Sequence, residues 1–491
     1  MTPLSVMLDA PITWMHASTD PSIKAFLEDL QGNILKGHGR HHTAQMFLSF
    51  AGMPTAEIAA LVRSLGQHCT SAYEQLRTNR RLPPYLDGGP IRCLFLSASG
   101  YRALGNHVHV PTGVAFQSGM ESRTSILGDP ARAAWDEVGW RAHAPDAMFL
   151  LADADQDAVE KDLEAAEQWL NGTGATLLVV ERGLQQTRNF RPDKPAEGVE
   201  HFGYVDGRSQ PLFLTEDIVL ESQTTWDPVF KPSQFIVADP NGRTPLSAGS
   251  YFVFRKLEQN ARGFNAAEAA LGRQLFGPAA SQNQLDRAGA MVVGRFEDGT
   301  PLVLSANAEK QAVTNDFTYA IDPDAAKCPF HAHIRKVNPR GDIERQFGSN
   351  DPAPGRIHIM ARRGITYGTL RPHTGDGSDF DDAGREPEKD IGLLFMAYMA
   401  SLENQFEFTQ QSWANNPGFV GNINPASNRP HTGIDSIMGQ SAIAGDREHT
   451  YQDDWTPGQS ATKHSFAQFV TMKGGEYFFA PSLTFLRSVG L

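Results

Sequence analysis

Apolar residues in TAEIAALVRSLGQHCTSAYEQL, residues 55–76, recur at intervals of three and four. That spacing predicts an amphipathic helix, with Thr55 placed to cap it. DAVEKDLEAAEQWL, 157–170, repeats the pattern. Four shorter apolar runs predict strands: 43–52 (TAQMFLSFAG), 91–100 (IRCLFLSASG), 147–155 (AMFLLADAD) and 175–183 (ATLLVVERG). Ahead of them, AFLEDLQGNILKGHGRHH, 25–42, reads as a helix broken at Gly32 and a basic, glycine-rich loop. The order is strand, helix, strand, strand, helix, strand. This is the ferredoxin-like split βαβ unit, an antiparallel sheet with helices on one face. Residues 101–146 are too many for a plain connection and predict inserted loops or extra helix.

The same order returns downstream. Strands are expected at 249–259, 356–364, 390–400 and 475–483. Helices are expected at 265–277, with Gly277 as a stop, and at 402–415. The reading is an α+β fold of two ferredoxin-like halves, 27–215 and 216–491, after an extension over 1–26. It rests on element order, since no residue-level repeat is visible. The glycine- and acid-rich stretch 375–390 reads as a solvated loop.

Composition narrows the function. The 491 residues are 40% hydrophobic and 20% charged, as in a soluble globular protein, and the net charge of −13 argues against non-specific nucleic-acid binding. Cys69, Cys93 and Cys328 are too far apart for a disulfide framework or a CxxC metal site. The first basic residue is Lys24, so the start lacks the charged region of a signal peptide and any twin-arginine signal. No apolar run approaches the roughly 20 residues that span a bilayer. A cytoplasmic protein without membrane partners is expected.

Three stretches carry candidate chemistry. In KCPFHAHIRKVNPR, 327–340, His331 and His333 would share one face of a strand and can chelate a metal; alternatively one sits in a loop and the other is a buried, hydrogen-bonded ring. In HFGYVDGRSQP, 201–211, Asp206 lies in a GxxDG pattern, which is either a simple Asp-Gly turn or a carboxylate held close to a ligand. MARRGITYG, 360–368, ends a strand in Arg362 and Arg363. Adjacent strand residues face opposite sides, so one arginine can reach a pocket while the other is solvated or paired.

Taken together, GxxDG, AHIRKVNPR and RRGITYG resemble the dye-decolorizing peroxidases. LQGNILKGHGR (30–40), GLLFMAYMASLENQFEF (392–408), TGIDSIMGQ (432–440) and GGEYFFAPSL (474–483) extend the resemblance over nearly the whole chain from residue 27. It implies a fold of the dimeric α+β barrel type, with haem b (iron protoporphyrin IX) in the C-terminal half. His333 matches the proximal iron ligand and His331 does not. Asp206 matches the distal acid and Arg362 the distal arginine. A carboxylate can carry the proton that peroxide must move, and a guanidinium stabilises the charge that builds as the O–O bond breaks. A carboxylate base also skews activity to acid pH. Leu393 and Phe395 match apolar residues shaping the distal pocket. Arg335, Arg340 and Arg208 are candidates for the haem propionates. Asp435 is the first choice, and Glu407 the second, for a partner of His333. Because dyes cannot enter a sealed pocket, the resemblance also implies surface electron transfer, for which Tyr367 and Trp413 are candidates. The implied reaction consumes hydrogen peroxide through an oxoferryl intermediate and oxidises dyes, phenols or other aromatic one-electron donors. The alternatives are haem storage or sensing, and haem processing of the deferrochelatase kind. Either a monomer or a homodimer fits the sequence.

Overall fold

The computed structural model describes residues 2–79, 88–191, 195–221, 230–309, 315–369, 386–420, 432–452, 455 and 461–491. Four early strands, β1 (His42–Ser49), β2 (Ile91–Leu96), β3 (Ala147–Asp153) and β4 (Thr176–Leu184), lie in the order β2-β3-β1-β4. The later strands are β5 (Ala248–Gln259), β6 (Ala361–Arg362), β7 (Ile365–Tyr367), β8 (Gly392–Met399) and β9 (Val470–Ala480). Their order is β7-β8-β5-β9, with β6 also on β8. Counting β6 and β7 as one interrupted strand, both sets read second, third, first, fourth, and every pairing is antiparallel. That is the ferredoxin-like arrangement, present twice.

The two sets form one sheet, joined where Phe479 of β9 pairs with Leu96 of β2. Its outer strands also meet. Just after β4, the Gln186 N–H donates to Thr366 Oγ1 at 3.0 Å, and the Thr366 hydroxyl donates to Leu184 O. Gly183 allows this approach, because a Cβ there would lie 2.4 Å from Ile365 Cγ2. Both ends of the sheet are thereby covered, leaving few free edge groups. Rings fill the interior: Phe47 packs edge-on against Trp140 and Phe254 with centroids 4.6 and 4.7 Å away. β3 is buried along its whole length, which explains why it reads as a continuous apolar run rather than an alternating one.

Helices α1 (Pro21–Asp29), α2 (Thr55–His68), α3 (Ala72–Asn79), α4 (Gln156–Leu170) and α5 (Ala261–Phe276) include those expected from periodicity. α2 buries Ile58, Leu61, Val62 and Leu65, the stripe that its spacing encodes. α5 ends at Gly277, whose φ of +85° suits glycine. Short helical turns fill 98–127, within the stretch expected to hold extra structure.

Four local expectations are corrected. The single helix over 55–76 is two, because residues 69–71 are drawn out to pair with other chain segments: Gly32 N–H bonds to Thr70 O, Thr70 N–H to Arg92 O and Ala72 N–H to Leu30 O, each at 2.8 Å. Pro54, not Thr55, occupies the cap position of α2, and no side chain caps it. The strand expected over 356–364 shrinks to Ala361–Arg362, since Arg356 and Ile357 close helical turns onto Pro352 and Ala353. The helix expected at 402–415 is wound in two wide, π-type segments, Leu402–Glu407 and Thr409–Ala414. The acidic stretch 375–390 lies outside the described residues as far as 385; just beyond it Glu386 is buried and accepts from Asn265 Nδ2 at 2.6 Å. Among the described residues no helix is long and apolar enough to cross a membrane.

Candidate active site

A cavity of about 300 Å³ brings together Asp206, Arg208, His333, Arg362, Leu393 and Phe395, residues spread over 190 positions of sequence. β5 and β8 supply one wall, where Leu393 pairs with Leu257 and Phe395 with Arg255. Alternate residues of a strand share a face, so 393 and 395 point the same way.

His333 opens a short helical turn, His333–Val337, so the two-residue strand spacing assumed for HAH does not occur. His331 turns away and is buried, stacked on His449 and edge-on to Tyr451 with centroids 4.4 and 4.8 Å away, and burial pulls its pKa well below the usual imidazole value. The His333 Nδ1–H donates to Asp435 Oδ2 at 2.8 Å. Asp435 is 0% exposed, and its other oxygen accepts the N–H groups of Ile437 and Met438 at 2.8 and 3.0 Å. Burial alone would raise the Asp435 pKa; His333 and these N–H donors outweigh it and hold the carboxyl below its ordinary value. An ionised carboxylate only accepts, so the imidazole proton is fixed on Nδ1 and the Nε2 lone pair is left for the cavity. Glu407, the second candidate for this bond, is committed elsewhere. It takes both forks of Arg123 at 2.8 and 2.6 Å and the Tyr477 hydroxyl at 3.0 Å.

Asp206 sits in a loop built on two left-handed glycines, Gly203 (φ +101°) and Gly207 (φ +78°). The turn and the presented carboxylate are the same feature. Asp206 Oδ1 accepts the Gly207 N–H at 2.6 Å, while the side chain remains exposed at the cavity wall. Glu200, which motif reading overlooks, ties the loop together. Its carboxylate accepts from Phe202 N–H (2.8 Å), Tyr204 N–H (3.0 Å) and Gln259 Nε2 (2.6 Å). Burial pushes its pKa up to about 7 against those donors. The folded protein therefore holds a proton here that the unfolded chain releases, and stability should fall as pH rises from about 4.5 toward 7. We expect Glu200→Gln to flatten that part of the pH dependence, read from urea midpoints at pH 5, 6 and 7.

Arg362 and Arg363 both line the cavity, contrary to the opposite-face expectation, because β6 ends at Arg362 and the chain turns. Arg362 donates to Arg208 O at 2.8 Å. Arg363 is half-buried and has no carboxylate partner among the described residues. It donates to Asn33 O and Ile34 O at 2.9 Å each, and burial, with Arg362 beside it, pulls its pKa down to about 10.

Arg335 is corrected outright. It is fully buried away from the cavity, and all its N–H donors are spent on Asp342, Asp322 and the carbonyls of Cys328 and Asp322 at 2.6–3.2 Å. Arg335→Met leaves two buried carboxylates short of a partner and should cost about 3–5 kcal/mol of stability, measured by urea unfolding. Arg340 stands behind the wall, donating to Ser209 Oγ at 2.6 Å and Asn315 O at 2.5 Å. Arg208 lines the cavity and pairs with Glu197. Two further cavity arginines, Arg295 and Arg255, carry no motif signal. Arg295 is buried without a carboxylate partner among the described residues, and burial, with Arg340 nearby, lowers its pKa to about 9. Arg255 pairs with Asp129, yet its Nε and Nη1 have no partner among the described residues.

The surface aromatics are corrected as well. Tyr367 is 8% exposed, with Lys256 Nζ 5.3 Å above its ring, and Trp413 is 2% exposed in a stack with Phe419. Burial raises the Cys328 thiol to about 12, so it holds no thiolate.

A histidine locked by a buried aspartate, facing a cavity with an acid and an arginine, is the equipment of a peroxidase. No family model matches the chain. Individual proteins do. The multifunctional dye peroxidase DyP2 of Amycolatopsis sp. is 42% identical over 499 residues, covering 99% of this chain and 100% of its own. Peroxidase 2 of Mycetinis scorodonius is 29% identical over 507 residues, covering 98% and 90%. Among solved structures, DyP2 from Amycolatopsis sp. superposes with a TM-score of 0.86 at 40% identity over 98% of this chain and 99% of its own. A DyP-type peroxidase of Anabaena sp. gives 0.85 at 34% identity, covering 100% of each. The chain belongs to the dye-decolorizing peroxidases. It is an oxidoreductase, and its two-unit ferredoxin-like fold is that family's fold.

Proposed function

We propose that the protein is a haem b peroxidase with His333 as the iron ligand, and the geometry that carries this reading is the His333–Asp435 pair beside Asp206 and Arg362. The residues present suit the cofactor. His333 offers an unprotonated Nε2, the lining is apolar with Leu393 and Phe395, and the wall holds Arg255, whose Nε and Nη1 have no partner among the described residues, and the buried Arg295, whose hydrogen bonds go to neutral oxygens of Gly299, Ser209 and Asn315. Arg295, with Arg208 beside it, would hold the propionates. When bound, haem supplies the two electrons that cleave peroxide and recovers them singly from the donor.

The chain's own residues do the rest. Asp206 takes the proton from the near peroxide oxygen and returns it to the leaving one. Arg362 holds the charge that develops there. Leu393 and Phe395 exclude water and bulky donors. Asp435 keeps the His333 proton on Nδ1. Asp435→Asn should therefore lower peroxide turnover about 10–100-fold, with a shifted reduction potential as the accompanying signature.

Donors would be dyes and phenols. The relatives carry dye-peroxidase names, and a solved dye-decolorizing peroxidase 26% identical to this chain is a complex with 2,6-dimethoxyphenol. The test is reconstitution with haem b, followed by absorption spectra and peroxide-dependent oxidation of 2,6-dimethoxyphenol and an anthraquinone dye. Stoichiometric haem uptake with turnover of either donor is expected. Absence of uptake would sink the reading; uptake without turnover would turn it into haem storage.

A further inference from the structure

The segment LQGNILKGHGR, 30–40, takes no part in the peroxide chemistry above. Its backbone carbonyls receive Arg363. Its side chains Lys36, His38 and Arg40 line a second cavity of about 460 Å³, which shares Asp206, Arg362, Arg363 and Leu393 with the first. A water-sized molecule occupies about 30 Å³ of liquid. The chamber is thus far larger than peroxide requires and falls in the range of small-molecule sites.

Its charge runs against that of the chain. The protein carries −13 overall, whereas the chamber sets Lys36, Arg40, Arg362 and Arg363 against Asp206 and Asp217. Lys36 is neutralised by Asp217 at 2.5 Å. Among the described residues neither Arg362 nor Arg363 has a carboxylate partner; their N–H groups go to carbonyls. His38 accepts the Arg40 N–H on Nδ1 at 2.9 Å, and burial pulls its pKa down to about 3. Its proton is therefore on Nε2, which has no partner among the described residues. Much of the remaining lining is apolar, with Leu35, Leu212 and Phe213. An anion-seeking edge of two half-buried guanidinium groups and the buried His38, beside an apolar wall, suits a ring bearing a carboxylate.

We propose that this chamber binds a small aromatic carboxylate, its acid group on the Arg362–Arg363 pair and His38 Nε2–H, its ring against Leu212 and Phe213. The proposal rests on the reading that Asp206 and Arg362 meet peroxide at the junction of the two cavities, so the occupant is a donor held beside the reacting centre. Bidentate geometry favours a carboxylate on a guanidinium over a neutral polar group.

Calorimetric titration of the haem-loaded protein with 4-hydroxybenzoate and with its methyl ester, without peroxide, tests it. The acid is expected to bind, and the ester about tenfold or more weakly. Arg363→Gln should weaken the acid about tenfold and leave the ester unchanged. Leu212→Trp fills the chamber from the apolar side, spares the Arg363 contacts with the 30–40 segment, and should abolish binding of both. Equal affinity for acid and ester overturns the proposal, as does no binding of the acid at millimolar concentration or acid binding indifferent to both variants. Turnover of 2,6-dimethoxyphenol on the same preparations separates the two readings. Turnover without acid binding removes the chamber alone, and absence of turnover in the unmodified protein removes the peroxidase mechanism beneath it.

Discussion

The His333→Ala protein is expected to fold, to lose the absorption band of histidine-ligated haem, and to show no peroxide turnover above that of free haem. The fold should survive because the imidazole packs at a cavity wall and contributes one side-chain hydrogen bond, to Asp435. Asp435 keeps its two N–H donors, from Ile437 and Met438, when the ring is gone. The chemistry should not survive, because His333 is the cavity histidine whose ring is held by a buried carboxylate, whereas His358, which also lines the cavity, is anchored to a backbone carbonyl, Asn404 O. His331 is turned away between the rings of His449 and Tyr451, and the Cys328 thiol, raised to about 12, stays protonated. Near-native circular dichroism with no Soret band of ligated haem is the expected pair of observations. Partial return of turnover on adding imidazole, which refills the vacated volume, would show that the pocket itself is intact. Retained turnover without imidazole would remove His333 from the mechanism.

The second large effect is expected at the acid and the arginine. Asp206→Asn should lower the rate of reaction with peroxide by about 10²–10⁴, the range for a positioned acid–base group. Arg362→Leu should lower it by about 10²–10³, the range for a donor that stabilises developing charge. The two differ in how pH enters. A guanidinium stays charged throughout, so Arg362→Leu should preserve the shape of the pH profile, whereas Asp206→Asn should remove its acid limb. Rapid-mixing measurement of the peroxide step from pH 3 to 7 checks both, because it isolates that step from donor oxidation. Two profiles of identical shape would mean that Asp206 does not move the proton. Arg362 is also anchored to Arg208 O, so its loss loosens the loop that carries Asp206. The double variant should accordingly lose less than the product of the single effects.

Tyr367 and Trp413, expected as surface electron-transfer residues, are buried. A ring covered by protein cannot touch a dye, so these residues can only relay electrons.

Element type and order were legible in the chain because they depend on local periodicity. The stripe of α2, the continuous apolar run of β3 and the two rounds of strand and helix each follow from residues near in sequence. Asp206, His333 and Arg362 were singled out only through the resemblance of their motifs to the dye-decolorizing peroxidases, since spacing alone left each with a structural alternative. What depends on distant segments was not legible. Strand β6 is short because its neighbours close into helical turns, and the helix over 55–76 breaks because residues 69–71 are claimed by residues 30–32 and Arg92. Charge alone nominated Arg335 for a ligand, but two aspartates and a pair of carbonyls consume its donors. Arg295, unmarked by any pattern, is left buried with its charge facing the site. Which carboxylate meets His333 was likewise a tertiary decision. The motifs ranked Asp435 ahead of Glu407 without excluding the second, and Glu407 is taken because Arg123, 284 residues away in sequence, occupies both of its oxygens. A hydrogen bond reaches about 3 Å in space and has no fixed reach along the chain, so residue types are read from sequence while their partners are set by the fold.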